Sequence, residues 1–214
     1  MANGMVVVID VLRAFSSCCY IFDKGVKKII PVANLSDALN LIKKNPEYIS
    51  IGERKGIKID GFNYGNSPKE ISLANLNNKN VIFTTSAGTL GLTKVIHAEE
   101  ILTGAFVNAN AILRYIKMKK PETLSLVITD DKYSDNEDYM FAQYLIALVK
   151  GEKVNFEDTK EFITKHPTSI GFLTHPLTKY SVDDFHLCLC LDKFNFVVKA
   201  KKNSTGLVLE KYEI

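Results

Sequence analysis

The chain has 214 residues, 46% of them hydrophobic and 24% charged. That is the composition of a soluble globular protein long enough for a sizeable core. A net charge of +3 demands no nucleic-acid partner, and no apolar run approaches the ~20 residues of a membrane span.

The four cysteines stand as Cys18-Cys19 and Cys188-x-Cys190. Neither pair has the Cys-x-x-Cys spacing of a zinc site, so all four read as reduced, small hydrophobes. Met1 to Gly4 lead directly into an apolar run without a basic leader and cleavage site, which sets a cytoplasmic expectation. A homo-oligomer is compatible with the composition.

In chain order, Met5 to Ile9 is a continuous apolar run and predicts a strand buried on both faces. Asp10 ends it, and a helix is expected from about Arg13 to Lys24, closed at Gly25. Lys28 to Val32 predicts a strand, and Ser36 a cap for a helix through Lys44. Tyr48 to Ile51 predicts a third strand. It opens onto Ile49 to Glu70, a segment rich in Gly and charge with too little apolar surface to be core.

Pro68 starts a helical turn. Val81 to Phe83 is a strand, followed by Thr84-Thr85-Ser86-Ala87-Gly88-Thr89 and a helix from about Ala87 to His97. Glu100 to Thr103 is a strand, and Gly104 to Asn110 leads into a helix ending near Lys120. Leu124 to Ile128 is a strand, Thr129 to Asp138 an acidic loop, and Tyr139 to Lys150 an apolar helix.

Beyond Gly151, a helix is expected over Asp158 to His166 and helix-loop over Thr168 to Tyr180. Strands are expected over Phe185 to Leu191, Phe194 to Ala200 and Thr205 to Tyr212, the last two forming a hairpin. The alternation predicts an α/β fold, layered α/β/α, with a mixed, largely parallel sheet. Residues 1–214 read as a single domain in which two related lobes, about 1–120 and 121–214, flank a cleft.

Ligands of open α/β sheets bind at the carboxyl ends of strands. Asp10, Arg13, Glu53, Arg54, Thr84, Thr85, Gly88 and Asn108 all fall at such ends, which one sheet edge could bring to one crevice. Asp10 and Glu53 could hold Mg²⁺, a hard cation with oxygen ligands. Arg13 and Arg54 suit a phosphate or sulfonate bidentately. Thr84, Thr85 and Gly88 before a helix offer an anion nest, and Asn66 and Ser67 add donors.

Each feature has a plainer meaning. Asp10 and Arg13 could be a cap and an ion pair, Glu53-Arg54 a solvated loop pair, Thr-Thr-Ser an N-cap and Asn66-Ser67-Pro68 a turn. A Walker phosphate loop, a Gly-x-Gly-x-x-Gly run and a Gly-x-Ser-x-Gly elbow are absent. An aspartyl-nucleophile phosphatase would need Asp at position 12, where Leu12 stands.

The motifs Val-Val-Val-Ile-Asp-Val-Leu-Arg-Ala (6–14) and Gly-Glu-Arg-Lys-Gly-Ile-Lys-Ile-Asp-Gly-Phe-Asn-Tyr-Gly-Asn-Ser-Pro-Lys-Glu (52–70) are long and specific. With Thr-Thr-Ser-Ala-Gly-Thr (84–89) and Gly-Ala-Phe-Val-Asn-Ala (104–109), the chain resembles the 2-phosphosulfolactate phosphatases of the ComB family. Glu137-Asp138 with Ala142, and residues 184–198, are weaker matches. The resemblance implies a Mg²⁺-dependent phosphatase acting on a small anionic phosphorylated substrate, 2-phosphosulfolactate or a similar hydroxy acid, by in-line attack of water on phosphorus. In methanogens that reaction belongs to coenzyme M synthesis.

By motif, Asp10, Arg13, Glu53 and Arg54 carry the catalytic roles, with Asp10 and Glu53 on the metal. Asn66, Ser67, Thr84, Thr85, Gly88 and Asn108 bind substrate. Departures from the family pattern are Phe15, Ala87, Leu90 and Thr129-Asp130-Asp131-Lys132. They keep open an alternative, a small-anion-binding or sensor homologue without turnover.

Overall fold

A computed structural model of the chain describes residues 2–129, 135–174, 181–204 and 206–214. Its elements begin with β1 (Met5–Ile9), α1 (Ala14–Asp23), β2 (Lys28–Pro31), α2 (Leu35–Lys44), β3 (Ile49–Arg54), β4 (Ile57–Lys58) and α3 (Pro68–Ser72). Next come β5 (Asn80–Thr84), α4 (Gly88–Lys94), β6 (Glu100–Gly104), a 3₁₀ turn (Phe106–Asn108), α5 (Ala109–Lys119) and β7 (Leu124–Ile128). The chain continues with α6 (Glu137–Lys150), α7 (Phe156–Lys165), α8 (Pro167–Thr174), α9 (Val182–Cys188), β8 (Phe196–Asn203) and β9 (Gly206–Glu213).

All nine strands join one mixed sheet in the order β4-β3-β5-β2-β9-β8-β6-β1-β7, flanked by helices. Two parallel triads make up most of it. In one, β2 and β3 pair β5; in the other, β6 and β7 pair β1. The long antiparallel hairpin of β8 and β9 joins them, with β9 antiparallel to β2 and β8 antiparallel to β6. The triads therefore run in opposite directions. The carboxyl ends of β1 and β6 do not share a sheet edge with those of β3 and β5, as the strand-end argument had assumed.

In a flat sheet the two sets of ends would lie at opposite edges. Here they meet, because Gly88, just after β5, packs directly on Asp10, just after β1. Helix α1, which follows Asp10, packs beside this contact on α4 and β6. The sequence of α1 explains its place. Phe15, Cys18, Cys19, Ile21 and Phe22 are apolar on all sides of the helix, and all are buried. It packs on α3, α4 and the 3₁₀ turn. Buried Ser16 donates to the Val11 carbonyl at 2.8 Å, while the equally buried Ser17 hydroxyl has no hydrogen-bond partner among the described residues.

Several boundaries differ from the sequence reading. Asn34, not Ser36, precedes α2. β3 runs on through Gly52, Glu53 and Arg54 and turns at Lys55-Gly56 into β4, so Glu53 and Arg54 sit in a hairpin rather than a loop. α4 stops at Lys94, short of His97. α6 begins at Glu137, capped by the Asn136 side chain on the Tyr139 amide.

The strand expected over Phe185 to Leu191 is helix α9. Ser181 caps it, Asp183 and Asp184 fill its first turn, and Asp184, Phe185 and Cys188 form its buried side. Alternation of apolar residues there mimicked a strand. As a result Cys188 is buried while Cys190 is exposed, and all four cysteines are free thiols. Most of the acidic stretch after Thr129, including Asp130-Asp131-Lys132, lies outside the described residues, as does 175–180 of the Thr168–Tyr180 segment. Among the described residues no helix is long and apolar enough to cross a membrane.

Candidate active site

Asp10 is the centre of the site. Its backbone carbonyl accepts the Phe15 amide at 3.0 Å and its Oδ1 the Ala14 amide at 2.8 Å, so it also holds the first turn of α1. Its other oxygen faces Gly88, where a Cβ would stand 2.7 Å from Oδ2 and 2.7 Å from the Ala14 Cβ. Burial pushes the Asp10 carboxyl up to about 7; the Ala14 amide opposes this, and the charges of Glu137 and Glu53 add to it. Asp10 thus caps the first turn of α1 through one oxygen and turns the other towards Gly88.

Glu53 comes from the other triad. Its Oε2 accepts the Gly56 amide at 2.5 Å and the Ser86 hydroxyl at 3.1 Å, and its Oε1 accepts the Ser86 amide at 2.7 Å. These bonds tie the β3–β4 turn to the loop after β5. Arg54 locks the same corner from behind, donating to the carbonyls of Glu53 (2.7 Å) and Ala33 (3.0 Å) and to Thr84 Oγ1 (2.7 Å). Those bonds use three of its five donors. Thr85 and Thr89 bond reciprocally, each hydroxyl accepting the other's amide at 3.1–3.2 Å. With the Ser86 and Thr89 amides so used, the start of α4 offers fewer free donors than an open anion nest would.

Arg13 bonds elements far from it in the chain. Its Nη1 lies 2.7 Å from Asp184 Oδ2, its Nη2 donates to the Gly56 carbonyl at 3.3 Å, and its guanidinium lies over the Phe172 ring at 5.7 Å. Asp184, 1% exposed, also accepts the Ser67 hydroxyl at 2.7 Å and the Lys69 amide at 2.9 Å. Ser67 caps α3 with the same oxygen, on the Glu70 amide. Beside it the buried Asn66 Oδ1 has no hydrogen-bond partner among the described residues. That orphan acceptor suits a donor brought by a ligand.

Hydrogen bonds thus link Arg13, Glu53, Arg54, Ser67 and Thr84 into one network through Asp184, Gly56 and Ser86, with Asn66 beside Ser67 and Thr85 beside Thr84. Asp10 and Gly88 join it by packing on each other rather than by a hydrogen bond. Asn108 has a different task. Its Oδ1 accepts the Ala105 amide at 3.3 Å and its Nδ2 donates to the Phe196 carbonyl at 3.5 Å, bracing the turn after β6 against β8. None of its hydrogen bonds among the described residues reaches the network.

A metal can be judged by the donors present. Among the described residues no three His, Cys, Asp or Glu side chains form a metal-binding group. Mg²⁺ needs less, since it keeps waters and takes one or two carboxylates plus substrate oxygens. Asp10 fits, being a carboxylate whose charge is disfavoured by burial and by Glu137 and Glu53 until a cation compensates it. Glu53 fits less well as a direct ligand, because its three accepted bonds fill most of its roughly four acceptor positions.

The sequence matches the family described as 2-phosphosulpholactate phosphatase over residues 1–203. The chain belongs to the 2-phosphosulfolactate phosphatase family. It is 33% identical over 211 residues to a "probable 2-phosphosulfolactate phosphatase" of Caldanaerobacter subterraneus subsp. tengcongensis, covering 92% of this chain and 87% of that one. A protein of the same description from Thermotoga maritima is 32% identical over 209 residues (89% and 86% covered). Another, from Clostridium novyi, is 28% identical over 207 residues (91% and 88% covered). The 2-phosphosulfolactate phosphatase family is one of phosphoric monoester hydrolases, so the network described above belongs to an enzyme family.

Four residues in or beside the network of this 2-phosphosulfolactate phosphatase homologue are not among the site residues expected from the sequence, although Glu137, Asp138 and Asp184 fall in its weaker family matches. Asp184 was hidden by the strand-like pattern around it. Ser86 looked like a capping residue, yet it binds Glu53 twice. Asp138 accepts the Val11 amide at 2.7 Å, and Glu137 presses its charge on Asp10. The signal for Glu137 and Asp138 was an acidic pair opening an apolar helix, a pattern equally suited to the helix dipole.

Proposed function

We propose that the protein hydrolyses 2-phosphosulfolactate, or a similar small phosphorylated hydroxy acid, to the hydroxy acid and phosphate, with Mg²⁺ as cofactor. The observation that carries this reading is the convergence of Asp10 with Glu53 and Gly88 at the meeting of two strand triads, in a chain of this phosphatase family.

Asp10 would hold the cation through the oxygen that faces Gly88, while its other oxygen stays fixed on the Ala14 amide. Glu53 would act from further out, holding the β3–β4 turn and Ser86 in place. When bound, Mg²⁺ supplies positive charge against the negative charge that develops on phosphoryl oxygens. Arg13 and Arg54 add positive potential to a cleft otherwise lined by carboxylates, and their bonds keep them oriented. Such pre-set charge needs no reorganisation during the reaction. The close packing of Gly88 on Asp10 leaves no room for an added side chain there.

The test is phosphate release from a panel of small phosphorylated acids, sulfonated and carboxylated, with Mg²⁺ and with EDTA. Release that EDTA abolishes and that Asp10→Asn cuts by at least ~100-fold is expected, since electrostatic stabilisation carries much of such barriers. Metal-independent turnover, or full activity of the variant, would overturn the reading. One observation favours the anion-binding alternative: Ala87 precedes α4 without a side-chain cap, and Leu90 on that helix is exposed. On that alternative, phosphate or sulfolactate raises the melting temperature and no panel member is cleaved.

A further inference from the structure

The segment 52–70 carries four cations, and three of them are already engaged. Arg54 donates to two carbonyls and to Thr84. The Lys58 ammonium donates to the Asn63 carbonyl at 2.9 Å, and Lys69 Nζ lies 3.2 Å from the Asp183 carboxylate. Lys55 differs. It is exposed, and its ammonium makes no hydrogen bond or ion pair among the described residues.

The backbone of Lys55 is held although its side chain is not. Arg54 pairs Ile57, so Lys55 and Gly56 form a two-residue hairpin turn between β3 and β4, with φ of 54° and 79°. Positive φ at both central residues marks a type I′ turn, which Asn-Gly and Asp-Gly fit best. A lysine there carries a Cβ into the left-handed region and adds nothing to the turn itself. The Lys55 amide donates to Ser86 Oγ at 3.0 Å and the Gly56 amide to Glu53 Oε2 at 2.5 Å, while the Gly56 carbonyl accepts Arg13 Nη2 at 3.3 Å. Ser86 stands two residues before Gly88, which packs on Asp10. The turn is thus pinned between Arg13 and the loop that leads to Gly88. The only side chain of its two central residues is an unpaired cation.

We propose that Lys55 is a specificity residue, whose ammonium pairs with the acidic group that the substrate carries besides its phosphate, a sulfonate or a carboxylate. The inference rests on the hydrolytic reading above and selects, among small phosphate esters, those with a second anion. Such a substrate brings negative charge that Arg13 and Arg54 answer only in part, since Arg13 is paired with Asp184 and Arg54 is tied to its own corner. The Lys55 ammonium rides on a flexible four-carbon stem whose Cα is fixed beside the site, so it can follow an anion whose position differs from one hydroxy acid to the next. Exposed, it stays hydrated until a ligand arrives and then forms a charge-assisted hydrogen bond, which salt weakens. A phosphate ester without a second acid gains little from it.

The experiment compares wild type with Lys55→Asn and Lys55→Arg. Asn suits a type I′ turn, so Lys55→Asn removes the charge and keeps the hairpin, and its melting temperature should equal or exceed that of wild type. Phosphate release is measured with Mg²⁺ on 2-phospholactate and on its carboxamide, which lacks the second charge. In Lys55→Asn the preference in kcat/KM for acid over amide should fall ~10-fold, mostly through KM, as one charge-assisted contact would give, while Lys55→Arg keeps it. That fall should shrink as salt rises. Titration calorimetry reads the same contact without turnover: Lys55→Asn should weaken sulfolactate binding ~10-fold and inorganic phosphate far less. An unchanged preference with unchanged sulfolactate affinity overturns the assignment, as does a loss equal for acid and amide or equal in both variants. A wild type that cleaves neither substrate refutes the hydrolytic reading instead, and the sulfolactate titration then decides on Lys55; a wild type that does not bind sulfolactate either overturns both.

Discussion

Arg13 places its Nη1 2.7 Å from Oδ2 of Asp184, a residue 171 positions later in the chain, and both side chains are almost completely buried. One bond thereby ties the loop after β1 to α9, and Asp184 extends the tie to Ser67 and Lys69 at the start of α3. A buried pair of this kind is costly to break on one side, because the remaining charge is stranded. Asp184→Ala should therefore destabilise the protein by about 3–5 kcal/mol in urea titration. The double variant Asp184→Ala with Arg13→Met should recover part of that loss while lacking activity. A double variant less stable than either single one would show that the pair is not the coupling unit.

Asp10 carries a pH signature. Its carboxyl titrates near 7 in the folded chain because burial, with the charges of Glu137 and Glu53, disfavours its ionised form. In the unfolded chain the value returns to about 3.9. An acid whose folded value is raised contributes stability that is fully present below the unfolded value and is lost as pH rises towards the folded one. The metal-free protein should lose stability between about pH 4 and 7 from this group, at up to ~1.4 kcal/mol per pH unit.

Asp10→Asn should flatten that part of the melting-temperature profile. At pH 8, Mg²⁺ at a hundred times its Kd should return about 2.7 kcal/mol to wild type and nothing to the variant. Equal Mg²⁺ stabilisation of both proteins would move the cation elsewhere.

Glu53 is a clamp before it is anything else. Its oxygens accept three bonds, two of them from the amides of Gly56 and Ser86. Glu53→Gln replaces one acceptor oxygen by a donor NH₂ group, which cannot serve an amide N–H. Hydrogen exchange should accelerate at Gly56 and Ser86 in the variant, with amides in β1 unchanged, and phosphate release should fall with it. Unchanged exchange at both amides would leave the Glu53 bonds without a structural role.

What the sequence made legible follows a physical divide. β1, α1, β5, α5, β7 and α6 have long apolar runs or periodicity, and they form close to their expected positions. Asp10, Glu53 and Gly88 were legible as strand-end residues. How they meet was not, because the directions of two triads are fixed by the β8–β9 hairpin, whose strands pair with residues about 100 positions away in β6 and 180 away in β2. The helix α9 was misread because Phe185, Leu187, Leu189 and Leu191 alternate like a strand, while its true cue, Ser181 before two aspartates, is short. Asn108 sat at a strand end like the others, and its bonds to Ala105 and Phe196, which brace the turn after β6, could not be read from that position.

Gly88 gives the sharpest test of the meeting itself. Its backbone is not in the left-handed region, so the demand for glycine there is purely steric. A methyl group would stand 2.7 Å from both the Ala14 Cβ and Asp10 Oδ2. Neither neighbour can yield freely, since Ala14 begins the buried helix α1 and Asp10 is pinned to the Ala14 amide. Gly88→Ala should cost about 1–3 kcal/mol of stability by overpacking. It should cost phosphate release far more, because a displaced Asp10 loses its alignment, and misplacement of about 1 Å is worth roughly 100-fold in rate. Thermal unfolding and phosphate release measured on the same preparation separate the two effects. A Gly88→Ala protein with wild-type release would mean that the two triads do not meet at this contact.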